Sequence, residues 1–307
     1  MRIFADTPII FPGLGIEIDP PKGFSLFGLD FEVKFYGVII AFGLLLAVLY
    51  AMKRSKEFGL TSDNILDVAL VGVPCAIIGA RLYHVILYGT PVNQWLNIRE
   101  GGLAIYGGVI GAVLGFGIFS LTSKERRSRF LPSADVAGLG LLIGQSIGRW
   151  GNFFNREAFG DYCDNILAMR LPEKCLAGLE EGPALQQLRQ MAIEGGYEGF
   201  VQVHPTFLYE SLWNAAGLVL LHFLSKKRRF DGQVFLYYLA WYGLGRFFIE
   251  QMRTDALMSG SFRTSQVVAL VSFVVSVAII VITLGFKKPD PANMLVNRNT
   301  LKNETEE

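Results

Sequence analysis

The sequence predicts an all-α integral membrane protein of about seven transmembrane helices, with its N-terminus outside, its C-terminus in the cytoplasm and a small extracytoplasmic head. Three observations carry this. Hydrophobic residues make up 51% of the 307 positions and charged residues only 18%, against about 25% charged in a soluble domain. The mean hydropathy is +0.39. The apolar residues gather in runs near the roughly 20 residues that cross a bilayer, and basic clusters fall on every other connection between those runs.

The chain opens with residues 1–34, in which Pro8, Pro12, Pro20 and Pro21 interrupt any apolar run. No signal-peptide pattern of a continuous apolar stretch and small-residue cleavage site is present there, so this stretch reads as an ordered or membrane-skimming arm. The membrane domain covers 35–286. Its expected spans are Phe35–Met52, Ile65–Tyr88, Gly101–Leu121, Ser133–Asn152, Thr206–Leu224, Gly232–Met252 and Thr264–Phe286. They must be helices, because lipid offers the backbone no hydrogen-bond partners. Lys53, Arg54 and Lys56 follow the first span; Lys124, Arg126, Arg127 and Arg129 join the third to the fourth. Lys226, Lys227, Arg228 and Arg229 join the fifth to the sixth, and Lys287 and Lys288 follow the seventh. The loop around 89–100 holds only Arg99. Basic loops stay in the cytoplasm, which puts the N-terminus and the long 160–204 insertion outside. The tail from 287 to 307 is polar and reads as disordered.

Gly107, Gly111 and Gly115 share one face of the third helix, and Gly140, Gly144 and Gly148 one face of the fourth, a spacing that lets helix backbones approach closely. Of the three cysteines, Cys75 lies in an apolar run and reads as packing. Cys163 and Cys175 share the outer insertion, where a disulfide is permitted but not shown by spacing alone. The net charge of +1 gives no indication of nucleic acid, and no residue constellation calls for a metal or a cofactor.

Polar residues inside spans are costly and usually face a bundle interior or a wet cavity. The fourth span ends in Gly148–Gly160, where Gln145, Arg149 and Asn152 share a helix face and Gly151 and Gly160 permit backbone bends. A guanidinium fork suits phosphate. A capped, snorkelling helix end would explain one arginine, but not Arg149, Asn152, Asn155, Arg156 and Glu157 together. The sixth span carries Tyr242, Arg246, Glu250 and Arg253 on one stripe. An Arg246–Glu250 pair within the helix is expected, and still leaves Arg246 with donors for an anion. His204 stands before the fifth span as a cap or a loop anchor. Glu210 within that span is either the partner of a buried arginine or an acid–base group. Arg81, Tyr83 and His84 lie near the outer end of the second span. Tyr36 and Tyr106 taken alone are interfacial aromatics.

Together these segments resemble the prolipoprotein diacylglyceryl transferases of bacteria. The signature positions are Gly148, Arg149, Gly151, Asn152, Asn155, Glu157 and Gly160. The His204–Glu210 run, the Tyr242-Gly243…Arg246…Glu250 stripe, Tyr36-Gly37, Gly79-Ala80-Arg81 and the glycine pairs around Tyr106 also match, so the likeness runs from about residue 30 to 285. The resemblance implies a multi-pass enzyme of the bacterial cytoplasmic (inner) membrane, with its site toward the outer leaflet. Such an enzyme transfers a diacylglyceryl group from phosphatidylglycerol to the lipobox cysteine beside a prolipoprotein signal peptide, releasing glycerol phosphate. It implies that Tyr36, Asn152 and Gly160 are sensitive positions. It also implies that Arg149 and Arg246 handle the phospholipid, with Glu157 and Glu250 in support and Asn152, Gly160 and Tyr242 contributing to lipid binding. Many relatives carry histidine where this chain has Tyr106. A phenol is a poor base near neutral pH, so either Glu210 or another group takes the thiol proton, or the arginines dominate and Tyr106 only hydrogen-bonds. A transporter would place its charges nearer the membrane midplane, often with internal repeats; a passive lipid-binding factor has less need of Asn152, Glu157, Tyr242 and Glu250 together.

Overall fold

The computed structural model describes residues 2–4, 8–25, 32–97, 101–177, 179, 182–254, 258–259 and 262–299. Eight α-helices and nine short strands are found among them. In chain order the strands are β1 Arg2–Phe4, β2 Ile9–Phe11, β3 Ile16–Ile18, β4 Gly23–Ser25, β5 Glu32–Lys34, β6 Met169–Pro172, β7 Phe200–Val203, β8 Met258–Ser259 and β9 Phe262–Arg263. The helices are α1 Phe35–Arg54, α2 Ser62–Tyr88, α3 Ile105–Leu121, α4 Lys124–Asn155, α5 Pro183–Glu194, α6 Thr206–Leu224, α7 Gln233–Gln251 and α8 Thr264–Ile282. Two compact units emerge: Met1–Ala47 with Leu139–Lys227 and Leu236–Lys287, and Val48–Gly138 with Arg228–Phe235 and Lys288–Glu307.

Each expected span coincides with a helix. Five helical stretches are long and apolar enough to cross a membrane: Phe35–Phe58, Ser62–Tyr88, Lys124–Asn155, Thr206–Lys227 and Thr264–Lys287. The third, Ile105–Leu121, is apolar but 17 residues long. α7 is not among the five, since it carries Gln233, Arg246, Glu250 and Gln251. α4 begins at Lys124, earlier than the hydropathy suggested, and runs through Pro132. The basic stretch Lys124–Arg129 is therefore the first turns of a helix rather than a loop, with Arg129 paired to Glu125 one turn away.

Alongside the helices, the first unit carries a small α/β head where the insertion after α4 was expected to form one. β3, β2, β6 and β7 form an antiparallel sheet in that order, with Ile10 paired to Arg170 and Met169 to Val203. The N-terminal arm is thus woven into the insertion that follows α4. Its core joins Ile9, Phe11, Met169, Leu171, Leu176, Leu185, Leu188, Val201 and Val203 to Phe153, Phe159 and Phe207 at the helix ends. Phe153 lies 4.8 Å from Phe207, ring centre to ring centre. Cys163 and Cys175 are not joined to one another, so the disulfide considered above is not present in this structure. The α4 glycines meet α1: a methyl on Gly140 would contact Ala47, and one on Gly148 would press on Ile40.

In the second unit α2 starts at a capping box, Thr61 Oγ1 accepting from the Asn64 amide and Asn64 Oδ1 from the Thr61 amide. Such a box satisfies two otherwise orphaned donors. α2 ends at Gly89 in the left-handed region (φ 59°). The α3 glycines pack on α2 as their spacing predicts, Gly107 against Gly79 and Gly111 and Gly115 against Cys75. Arg81 donates to the carbonyls of Gln94, Trp95, Gly101 and Gly102, which makes it a clasp for this loop. The chain beyond Lys288 is ordered as far as residue 299. The Leu295 amide donates to Asp231 Oδ2 at 2.8 Å, Asn299 donates to the Gly59 carbonyl, and Met294 and Leu295 are buried. Polarity predicted disorder here; two leucine-sized side chains with pocketed backbone suffice to hold the segment. Residues 300–307 lie outside the described residues.

Candidate active site

The first unit gathers most of the singled-out polar residues around one carboxylate. Glu210, on the first turns of α6, pairs through Oε1 with Arg149 Nη2 at 2.7 Å and through Oε2 with Arg246 Nη1 at 2.9 Å. Arg246 Nη2 reaches Glu250 Oε2, one turn along α7, at 2.5 Å. Three helices, α4, α6 and α7, therefore meet in an alternating row of Arg149, Glu210, Arg246 and Glu250. The two carboxylates are almost wholly enclosed, at 4% and 1% exposure, while the guanidinium side chains keep 19% and 12%. The acids lie beneath and the arginine forks face outward. Each guanidinium has five N–H donors, so the forks keep capacity for an incoming anion.

Of the two readings that the sequence left open for Glu210, the geometry displays the ion-pair one: it is the partner of two half-buried arginines and brings Arg149 and Arg246 together. Glu250 supports Arg246 as expected. Glu157 does not pair directly with Arg149: it accepts from Asn152 at 3.0 Å and from Asn155 at 3.3 Å, and Asn152 in turn accepts from Arg149 at 3.4 Å. The expectation that Glu157 grips the Arg149 fork is replaced by a relay through Asn152. The reason is local: Glu157 lies beyond the end of α4, past a reversal of the chain.

That reversal is a Schellman-type cap. The Glu157 amide donates to Asn152 O and the Arg156 amide to Phe153 O, and Arg156 takes the left-handed conformation usually reserved for glycine, φ 58°. Ala158 follows with φ 57°. These two residues bend the chain; Gly151 and Gly160, from which the sequence led us to expect the bends, serve close approach instead. The Tyr36 ring lies on Gly151, where a methyl carbon would fall 2.7 Å from Cδ2. At Gly160 a methyl would fall 2.7 Å from both His204 Cβ and Met252 O. Gly160 donates to His204 O, bridges to Arg253, and so joins the signature segment to the ends of α6 and α7. The Arg156 side chain is fully buried and pairs with Asp19 of the N-terminal arm at 2.9 Å, an interaction that offsets the strained backbone.

Around this row stand residues of lesser visibility in the sequence. Gln145, one turn before Arg149, donates to the buried Tyr238 hydroxyl at 2.9 Å. Tyr238 stacks on Tyr242, which lies in the electrostatic field of Arg149 and Arg246. Tyr238 lies four residues before Tyr242, so the α7 stripe could have been extended to it. Arg263 donates to the Glu250 carbonyl at the end of α7, a contact across a turn that no spacing rule announces. Outside the helices, His204 Nδ1 lies 3.2 Å from the Tyr209 hydroxyl. Burial depresses the His204 pKa, partly opposed by Asp161. Burial also raises the Asp161 carboxyl, opposed by Arg263 and His204. Tyr106 opens α3 in the second unit.

Comparison with known proteins identifies the family. A family model described as prolipoprotein diacylglyceryl transferase matches residues 23–282. A phosphatidylglycerol–prolipoprotein diacylglyceryl transferase of Bacillus cereus (strain B4264) is 43% identical over 256 residues, covering 82% of this chain and 88% of its own length. The protein of the same name from Bacillus mycoides (strain KBAB4) is 44% identical over the same coverage, and that from Bacillus anthracis is 43% identical. The matched region contains Tyr36 and the whole arginine–glutamate row from Arg149 to Glu250, and the chain belongs to the prolipoprotein diacylglyceryl transferase family.

Proposed function

We propose that this transferase moves the diacylglyceryl group of phosphatidylglycerol onto the lipobox cysteine of a prolipoprotein, the first step of lipoprotein maturation. The observation that carries the reading is the pair of arginine forks converging on Glu210 with their carboxylates buried beneath them. That arrangement holds two cations in place for a phosphate without leaving them unpaired in a low-dielectric interior.

In the reaction the cysteine sulfur attacks the glycerol carbon that bears the phosphate. A C–S bond forms, the C–O bond breaks, and the phosphate oxygen leaves with the electron pair as glycerol phosphate. The thiol proton departs to a base. Arg149 and Arg246 stabilise the charge growing on the leaving oxygen through charge-assisted hydrogen bonds, a kind of preorganised donor worth about 2.7–4 kcal/mol apiece in comparable sites. Asn152 and Tyr242 orient the headgroup beside Arg149. Glu210 and Glu250 fix the forks, and Glu157 fixes Asn152. Tyr36 and Gly160 shape the site, Tyr36 by packing on Gly151 and Gly160 by the close approach of its neighbours.

The reading includes seven spans, an outside N-terminus, a cytoplasmic C-terminus and a site toward the outer leaflet of the bacterial cytoplasmic membrane. The alternation of basic connections supports this orientation. It suits both partners, since the acceptor cysteine emerges on that side and the donor lipid enters sideways from the bilayer. The test is incubation of the purified protein with phosphatidylglycerol and a lipobox peptide. A mass gain equal to diacylglyceryl on the cysteine is expected. Binding of phosphatidylglycerol without any mass gain would leave a passive lipid-binding protein instead.

A further inference from the structure

Two tryptophans that the reaction does not touch lock α6 to α7 beside the arginine row. Trp213 Nε1 donates to the Trp241 carbonyl at 3.0 Å, and Trp241 Nε1 donates to the Trp213 carbonyl at 2.9 Å. The two indoles stack at 4.3 Å between ring centres and 17° between planes. The exchange is reciprocal in space and in sequence. Each tryptophan is followed four residues later by a glycine, Gly217 and Gly245. A methyl on Gly245 would collide with Trp213 Nε1 and Cδ1, and a methyl on Gly217 with the same atoms of Trp241. Each helix thus offers a missing side chain as the seat for the other's indole.

The position of this lock matters. Glu210 precedes Trp213 by three residues on α6, and Arg246 directly follows Gly245 on α7. Their ion pair closes at 2.9 Å, whereas sliding one helix by a turn moves a side chain about 5.4 Å. In lipid, apolar contact does not drive helices together, so packing at small residues and interhelical hydrogen bonds set the register. We infer that Trp213 and Trp241, seated on Gly245 and Gly217, are positioning residues that fix the α6–α7 register and through it hold Glu210 between Arg149 and Arg246. The inference rests on the transferase reading above.

The test measures transfer to a lipobox peptide with the full-length protein, determining kcat and KM for the peptide separately. Wild-type activity is the check on the underlying reading: without it the function fails, not the lock. Gly245→Ala pushes the Trp213 indole out of its seat, and kcat is expected to fall at least tenfold with the peptide KM within twofold. Trp213→Leu removes the ring that the new methyl would meet, so Gly245→Ala with Trp213→Leu is expected to raise kcat at least threefold above that of Gly245→Ala alone. Trp213→Phe alone keeps a ring and loses one hydrogen bond, and is expected to lower kcat three- to tenfold in folded protein. Retention of full kcat by Trp213→Phe, or a doubly substituted protein no better than Gly245→Ala, overturns the inference. So does a loss confined to folded yield, with normal kcat per folded molecule. If Gly245→Ala does not fold, recovery of folded, active protein in the double substitution supports the lock, and its failure overturns it.

Discussion

Replacing Arg149 with lysine isolates the fork from the charge. Arg149 spans two neighbours, Glu210 Oε1 at 2.7 Å and Asn152 Oδ1 at 3.4 Å. A lysine keeps one positive charge but presents a point ammonium rather than a planar pair of donors. It satisfies Glu210 or turns to the phosphate, not both at once. Losing one preorganised donor on a developing oxyanion lowers the rate by about 10²–10³, or about 2.7–4 kcal/mol. The folded state loses much less, because Glu210 keeps Arg246 at 2.9 Å and the new ammonium; about 1 kcal/mol is expected, the scale of one net hydrogen bond. Initial rates come from mass spectrometry of a lipobox peptide in phosphatidylglycerol micelles, and stability from the thermal midpoint of the same preparation. Transfer within fivefold of wild type, at an unchanged midpoint, would refute the leaving-group role of Arg149. Loss of folded protein together with rate would show instead that Arg149 holds α6 in place.

Arg246 behaves differently, because it bridges two enclosed carboxylates. Arg246→Ala strands Glu250, 1% exposed, and breaking such a pair costs about 3–5 kcal/mol; folded yield is expected to fall sharply. Pairing Arg246→Met with Glu250→Gln restores folded protein but not transfer, and an Arg246→Ala protein as stable as wild type would contradict the burial argument. Gly160→Ala places a methyl 2.7 Å from a backbone carbonyl, an overpacking of about 1–3 kcal/mol, whereas Gly117→Ala meets open space and leaves the thermal midpoint unchanged or higher; equal midpoints for the two would count against the close-approach role. His204 has its pKa depressed by burial, so its neutral form favours the fold. That contribution is complete above the unfolded histidine value of about 6.5 and is lost as pH falls through the lower folded value. His204→Gln is therefore expected to flatten the decline of thermal midpoint below about pH 6.5, and an identical acid decline in the variant would remove His204 as its source.

The helices and much of the site were legible because their signals are local. Hydropathy is a property of each stretch, and α6 begins and ends where its apolar run does, Thr206 to Leu224. Glycine spacing in α3 needs only a helical period to place Gly107, Gly111 and Gly115 on one face, and Gly79 and Cys75 are what that face meets. Arg149, Asn152, Arg246 and Glu250 were legible as charges in the wrong solvent, which requires no knowledge of their partners. The head was opaque for the opposite reason. Its strands are three or four residues long, too short for a period to show, and β2 pairs with β6 across more than half of the chain.

The sequence by itself determined that this is a membrane protein built of apolar helices, and which polar side chains those helices carry, since both depend on residue type and on spacing within one helix; its transferase character was legible through the resemblance of those polar segments to the family. Only the tertiary structure decided who pairs with whom. It placed Glu210, not Glu157, on the arginine forks, gave the bend of the signature to Arg156 and Ala158, and interlocked Trp213 with Trp241. The ion pairs and the tryptophan interlock follow from the register and crossing of helices far apart in the chain, and a shift of one turn, about 5.4 Å, would leave every local pattern intact while opening those contacts.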